Sequence, residues 1–255
     1  MKRLIILFFI FLITFYLSKS GSRFIGVNYV VEEKKLSNYK KIVQFYERHR
    51  EYKKLVNKIN GKSKNNQQNV INLSSWILKN IKKITEKDDI IDNHPWTIIE
   101  RGMGTDDQFS DLLSVLLVHN NIDAFFYNKI DTVWHPLTFF GINKNEWSII
   151  DPYYGIYFLD NNNTFSSLKQ IKENEFFLYH LNLGIVDNEN IDLIFFDKNF
   201  KNLDELKIYF KNLFIKLPSS QEINSTNIFE RGRGSRSYVQ EPFNRLMYEF
   251  YKLRF

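Results

Sequence analysis

Apolar residues recur at three- and four-residue steps in several stretches of this chain, which is the spacing of amphipathic helices. The spacing predicts one or two helices between residues 28 and 60, a helix over 69–85 and another over 105–119. It also predicts a helix over 203–214. The stretch 61–68 contains no large apolar residue, so it is expected to be a linker between the first two helical regions.

Short runs of β-branched and aromatic residues between turn residues predict strands. The predicted strands are 124–127, 132–142, 146–150, 156–159 and 193–196, and a polar loop is expected at 86–95. Because most of the helices precede a run of neighbouring strands, the order predicts an α+β fold in which helices are followed by an antiparallel sheet.

The N-terminal segment is apolar without periodicity. Lys2 and Arg3 precede an apolar run from Leu4 to Leu17, which is interrupted only by Thr14. Such a run is typical of a signal peptide or a signal anchor, because it is apolar on every face and shorter than the roughly 20 residues that span a bilayer. We therefore expect membrane attachment through residues 1–22 as a single N-terminal anchor, with the bulk outside the cytoplasm. Cleavage of the segment would give a secreted or periplasmic protein.

Composition narrows the possible chemistry. The chain has 255 residues with 44% hydrophobic content, which is enough for a sizeable core, and it has no cysteine. The absence of cysteine excludes disulfides, thiolate metal sites and a thiol nucleophile. The net charge of +6 is carried by residues 1–20 and 229–255, which leaves a neutral body. A neutral body argues against a nucleic-acid partner, and the histidine spacing predicts neither a metal site nor a cofactor.

Three motifs follow one another in the middle of the chain. The first runs from Gly102 to Gln108 (GMGTDDQ) and ends in the predicted helix, where Thr105 is a good N-cap. The second is His135, which follows Trp134 in a predicted strand, and the third is Asp151, which ends the segment WSIID before a proline.

The order and spacing of these motifs resemble the transglutaminase-like superfamily, which has a papain-like core. In that family a Gly-rich turn presents a nucleophilic cysteine at a helix N-terminus, and a histidine and an aspartate follow on successive strands. The resemblance covers about residues 69–160. It implies that three residues occupy the positions of a catalytic triad, namely Thr105, His135 and Asp151. The candidate binding residues beside them are Gly102, Gly104, Asp106, Asp107, Gln108 and Trp134.

Thr105 departs from the family pattern, because a cysteine is expected at this position. A helix N-terminus and an imidazole lower the pKa of a thiol, whereas a threonine hydroxyl is too weak an acid to be activated in this way. Threonine nucleophiles generally depend on a free N-terminal amine, which Thr105 lacks. The resemblance therefore predicts a degenerate triad in which Thr105 is a helix cap.

The C-terminal region carries a separate candidate binding site. Arg231 and Arg233 alternate with glycine, and this arrangement can wrap an anion. Solvated tails and membrane-surface helices have the same composition. The predicted organisation is a targeting segment 1–22, a helical region and linker 23–68, a transglutaminase-like core 69–160, an α/β extension 161–228 and a basic aromatic tail 229–255.

Three functions remain open at the level of sequence. The preferred one is a membrane-attached pseudoenzyme that keeps a binding cleft for a peptide, glycan or protein partner. The second is an active hydrolase or acyltransferase in which Thr105 is the nucleophile, with His135 and Asp151. The third is a structural or assembly component of an envelope or polysaccharide pathway.

Overall fold

The structure is a computed structural model that describes residues 2–27, 30–61, 63, 65–84, 94–195, 200–231 and 237–253, without the side chains of residues 2–4 and 22–34. The helices are α1 (Lys2–Ser18), α2 (Asn38–Asn60), α3 (Asn66–Asn80), α4 (Pro95–Arg101), α5 (Asp106–His119), α6 (Leu168–Lys172), α7 (Ile191–Ile194), α8 (Leu203–Phe214), α9 (Ser220–Ser225) and α10 (Pro242–Lys252). The strands are β1 (Ser20–Val27), β2 (Val30–Ser37), β3 (Lys82–Lys83), β4 (Met103–Gly104), β5 (Ala124–Ile130), β6 (Val133–Gly141), β7 (Trp147–Asp151), β8 (Ile156–Leu159), β9 (Phe177–His180) and β10 (Gly184–Ile185).

The main sheet has six antiparallel strands, in the order β10-β9-β8-β7-β6-β5. Each strand pairs antiparallel with its neighbour in sequence, and short turns make all of these connections except that between β8 and β9, which contains α6. The predicted α+β class, with helices followed by an antiparallel sheet, is confirmed. The predicted boundary at residue 160 falls inside this sheet, because β9 pairs with β8.

Helix α5 is the central helix of the fold. Every residue from Gln108 to His119 is buried. The helix packs on β5 and β6 and is covered by α2, α3 and α4. A helix that is apolar around most of its circumference needs partners on all sides, and this arrangement supplies them. The burial of α5 fixes the position of its N-terminus, where the Gly-rich turn arrives.

The predicted helical region 28–60 is wrong in its first part. Strand β2 forms a hairpin with β1, and the helix begins only at Asn38, after an N-cap in which the Ser37 side chain accepts a hydrogen bond from Lys40 N. Val30 and Val31 favour a strand, and the helical spacing of apolar residues starts at Tyr39.

The predicted linker and the helix after it are displaced in the structure. Helix α3 starts within the predicted linker, because the Asn65 side chain accepts a hydrogen bond from Gln68 N as an N-cap. It ends at Asn80 instead of residue 85, since Ile81 is extended and β3 then pairs in parallel with β4. The predicted loop 86–95 lies largely outside the described residues.

Two elements of the C-terminal and central regions also differ from prediction. The strand predicted at 193–196 is wrong, because Ile191 and Ile194 are buried on one face of the one-turn helix α7, and residue 196 is outside the described residues. Helix α4 was not predicted, although Pro95 at its first position is a recognised start signal; the His94 side chain acts as its N-cap by accepting a hydrogen bond from Trp96 N.

Helix α1 has 17 residues, and the side chains from Ile5 to Tyr16 are exposed. In the ranges that the structure covers, no helix is long and apolar enough to span a membrane.

Gly155 is required by the turn between β7 and β8. Its φ is +73°, and an added Cβ would lie 2.8 Å from Leu78 Cδ2 and 3.0 Å from His180 Nε2. We expect Gly155→Ala to lower the free energy of unfolding by about 2 kcal/mol, because backbone strain and overpacking add. Urea denaturation would measure the change. Gly61→Ala is the control, since Gly61 has a φ of +59° and open space around it, and its cost should be about 1 kcal/mol. Equal costs would show that the contacts at Gly155 do not matter.

Candidate functional site

The Gly-rich turn is held in place by backbone hydrogen bonds from β3. Lys82 N donates to Gly102 O at 2.8 Å, and Ile84 N donates to Gly104 O at 3.0 Å. Gly102 has a left-handed conformation with φ of +67°, which ends α4 and turns the chain toward α5. The turn thus delivers Thr105 to the N-cap position of α5.

Polar side chains surround Thr105 at the start of the helix. Its hydroxyl donates to Asp107 Oδ1 at 2.5 Å, and its N–H donates to Gln108 Oε1 at 3.3 Å. The arrangement with Gln108 is that of a capping box, although the hydroxyl oxygen is not aligned for a hydrogen bond with the Gln108 N–H. Gln108 Oε1 also accepts a hydrogen bond from the Arg101 guanidinium. The Thr105 hydroxyl therefore has a carboxylate as its partner.

His135 and Asp151 lie on the adjacent strands β6 and β7, and both are 1% exposed. His135 Nε2 is 2.8 Å from Asp151 Oδ2, although the ring N–H is not aligned on the oxygen as in a well-formed hydrogen bond. The other carboxylate oxygen accepts hydrogen bonds from the N–H groups of Tyr153 (3.1 Å) and Tyr154 (3.0 Å). The turn after β7 thereby fixes the carboxylate that faces the imidazole.

The second imidazole nitrogen of His135 contacts a residue that the sequence did not point to. The hydroxyl of Tyr209, on α8, is 2.9 Å from His135 Nδ1. With the proton on Nε2, next to the carboxylate, we assign Nδ1 as the acceptor of the Tyr209 hydroxyl. The rings of Tyr154 and Phe210 also pack on the imidazole. Helix α8 therefore closes the side of His135 that a nucleophile would need.

Asp106 connects the helix start to the histidine strand. Its Oδ2 accepts a hydrogen bond of 2.8 Å from Trp134 Nε1, and Trp134 immediately precedes His135. Burial raises the pKa of Asp106 above its ordinary value, and the bond from Trp134 partly opposes this. The negative charges of Asp107 and Asp151 raise the same pKa further. The structure thus brings the three sequence motifs into one region.

The candidate anion site in the tail lies elsewhere. The Arg231 guanidinium is 5.2 Å from the ring centroid of Trp147, and its Nε donates to Thr226 O at 3.1 Å. Trp147 begins β7, whereas Asp151 ends it, so Arg231 sits at the far end of that strand from the His135 pair. Arg233 is outside the described residues.

Comparison with known proteins identifies no relative: no family model, curated protein or solved structure matches the chain.

In the part of the chain that the structure describes, no group of three or more His, Cys, Asp or Glu side chains is placed to hold a metal ion.

The residue that sequence reasoning missed is Tyr209. Its helix was predicted with the observed bounds, but the residue is 74 positions from His135 and carries no motif. Only the packing of α8 reveals the contact.

Proposed function

We propose that this chain is a membrane-attached, transglutaminase-like pseudoenzyme whose cleft binds a peptide, glycan or protein partner. The observation that carries the proposal is the set of partners of the triad positions. The Thr105 hydroxyl donates to Asp107, and His135 is held between Asp151 and Tyr209. A general base must reach the proton that it removes, and here both groups are bonded to other residues.

The exposed side chain beside the triad positions suits binding better than turnover. The indole of Trp134 is 43% exposed and is oriented by its bond to Asp106. A partly exposed aromatic ring with a neighbouring carboxylate can stack on a sugar or a peptide group and accept its hydrogen bonds. The membrane attachment would come from residues 1–22, as the sequence predicts.

The rival function is an active hydrolase or acyltransferase that uses Thr105. The contact of Asp107 with the Thr105 hydroxyl is the observation in its favour, because a carboxylate can accept a proton. A carboxylate is nevertheless a very weak base for an alcohol. We therefore expect hydrolysis of a generic ester such as 4-nitrophenyl acetate to be the same for the native chain and Thr105→Ala.

Thr105→Cys tests whether the site keeps the arrangement of a thiol enzyme. The helix N-terminus favours ionisation of a thiol at this position, whereas the Asp107 carboxylate opposes it. We expect the thiol of Thr105→Cys/Asp107→Asn to react with iodoacetamide roughly tenfold faster than that of Thr105→Cys alone. Because the chain has no cysteine, labelling reports on this position only.

Two further variants make the result specific. His135→Ala in the faster variant should leave labelling unchanged, because Asp151 and Tyr209 occupy the imidazole, while Thr132→Cys, in an exposed turn, gives the rate of an ordinary thiol. Labelling of the double variant no faster than that of Thr132→Cys would contradict the family assignment. Ester hydrolysis that disappears in Thr105→Ala would instead contradict the inactive state, and the two failures are therefore distinguishable.

A further inference from the structure

Helix α10 exposes its apolar side. Five residues recur at three- and four-residue steps and form one continuous stripe on the helix surface. Their side chains are between 45% and 78% exposed: Phe243, Leu246, Met247, Phe250 and Leu253. No residue of α10 is fully buried.

The contacts of α10 with the rest of the chain come from its other side. The rings of Tyr248 and Tyr251 pack on Phe229, with centroids 5.4 and 5.6 Å apart, and the Tyr251 hydroxyl donates to Glu230. A surface helix of a soluble domain normally buries its apolar stripe and exposes its polar side. In α10 this orientation is reversed, because the apolar stripe faces away from the other residues that the structure describes.

We propose that α10 is an interfacial helix that lays this stripe into the surface of an anionic lipid bilayer. Interfacial helices separate their polar and apolar sides strongly. Aromatic and aliphatic residues occupy the apolar side, and basic residues occupy the polar side. Arg245 and Lys252 lie on the polar side, where both pair with Glu249, and this leaves α10 one net positive charge for lipid phosphates. Aromatic and aliphatic side chains on the stripe would enter the boundary between headgroups and acyl chains.

The net charge of this region favours a bilayer over a second copy of this chain as the partner of the exposed stripe. Residues 229–255 contain six cations and three acids, so they carry a net positive charge. Two such segments packed stripe to stripe would repel each other, whereas an anionic surface attracts each of them by about 1 kcal/mol per basic residue near it. Charge complementarity therefore favours lipid.

A second apolar surface is formed by α1 and the first half of α2. Both α1 and α10 contact α2, and α1 exposes apolar side chains from Ile5 to Tyr16. The first half of α2 adds the exposed residues Tyr39, Ile42 and Tyr46 at helical spacing. Contact of α10 with a bilayer does not require the proposed function of the triad region. It would add a second membrane attachment to that proposed for residues 1–22.

Single cysteines in the otherwise cysteine-free full-length chain can test the contact. Phe250→Cys on the stripe and Lys207→Cys at an exposed position of α8 would each carry the fluorophore NBD, and the chain would be mixed with phosphatidylglycerol-containing vesicles. We expect a blue shift and protection from iodide at position 250 and neither change at position 207. Adding Leu246→Glu should abolish the shift at 250, whereas Ile208→Glu, at another exposed position of α8, should leave it intact.

The possible outcomes distinguish membrane attachment through α10 from attachment through residues 1–22. If the chain co-floats with the vesicles but iodide still quenches NBD at position 250, the α10 proposal is overturned. Attachment through the N-terminal segment would then remain. The same shift with purely zwitterionic vesicles or in high salt would contradict the role of charge. A shift that depends on protein concentration without vesicles would mean self-association, and it would also overturn the proposal.

Discussion

Phe210→Ala is expected to lower the free energy of unfolding by about 3–5 kcal/mol, which is the range for removing a fully buried phenylalanine. Its side chain is 0% exposed and joins α8 to the sheet. The ring lies 5.7 Å from Phe158, 5.1 Å from Phe214 and 5.8 Å from the imidazole of His135, measured between centroids. The variant therefore leaves a cavity directly beside the candidate site.

Urea denaturation followed by circular dichroism would measure this loss. The matched control is Ile208→Ala, because Ile208 is on the same helix and is 59% exposed. Its cost should be within about 0.5 kcal/mol of zero, apart from the small gain in helix propensity. If both variants had the same effect, α8 would not be packed on the sheet as described, and the contact of Tyr209 with His135 would lose its support.

Asp151→Ala should be nearly as costly, at about 3 kcal/mol or more. The change leaves the buried N–H groups of Tyr153 and Tyr154 without their acceptor and removes the carboxylate beside His135. Buried polar groups that lose a partner bear their full desolvation cost, because water cannot replace it. Asp151→Asn should cost clearly less, since the amide oxygen can still accept the two backbone bonds.

Asp187→Ala is the control for the carboxylate variant. Asp187 Oδ1 likewise accepts two hydrogen bonds from following backbone N–H groups, those of Glu189 and Asn190, but Asp187 is exposed. Water can satisfy the groups that it leaves, so its cost should be below about 1 kcal/mol. Thermal unfolding of the three variants would show whether burial makes the difference. Equal costs for Asp151→Ala and Asp187→Ala would contradict this account.

Elements with a strong local pattern were predicted well from the sequence. Helix α8 and strand β8 have the predicted bounds, and α5 begins one residue after the predicted start because Thr105 is its N-cap. In each case a clear periodicity ends at a turn or a capping residue, so local information is sufficient. The helix and strand order then gave the α+β class.

Elements that depend on distant partners were not predicted. The short strand β3 exists because Lys82 and Lys83 pair with Met103 and Gly104, and no local pattern marks two residues as a strand. Strand β2 was read as helix because its charged residues suit either state, and only its pairing with β1 decides between them. Propensity is weak wherever tertiary or cross-strand contacts decide the conformation.

The candidate site was partly accessible from the sequence. The motif order led to the pair of His135 and Asp151, because neighbouring antiparallel strands bring such residues together. The sequence did not reveal that Asp107 accepts the Thr105 hydroxyl or that Tyr209 covers Nδ1. Both contacts depend on side-chain orientation, and the second also depends on where a distant helix packs.

The backbone hydrogen bonds that hold the Gly-rich turn have a consequence for substitutions at position 105. The turn keeps its shape through main-chain bonds from Lys82 and Ile84, and none of these bonds involves the side chain at position 105. A substitution at position 105 therefore leaves the scaffold standing. In the pseudoenzyme that we propose, chemistry could be lost by a single codon change, and selection could then retain the fold for recognition alone.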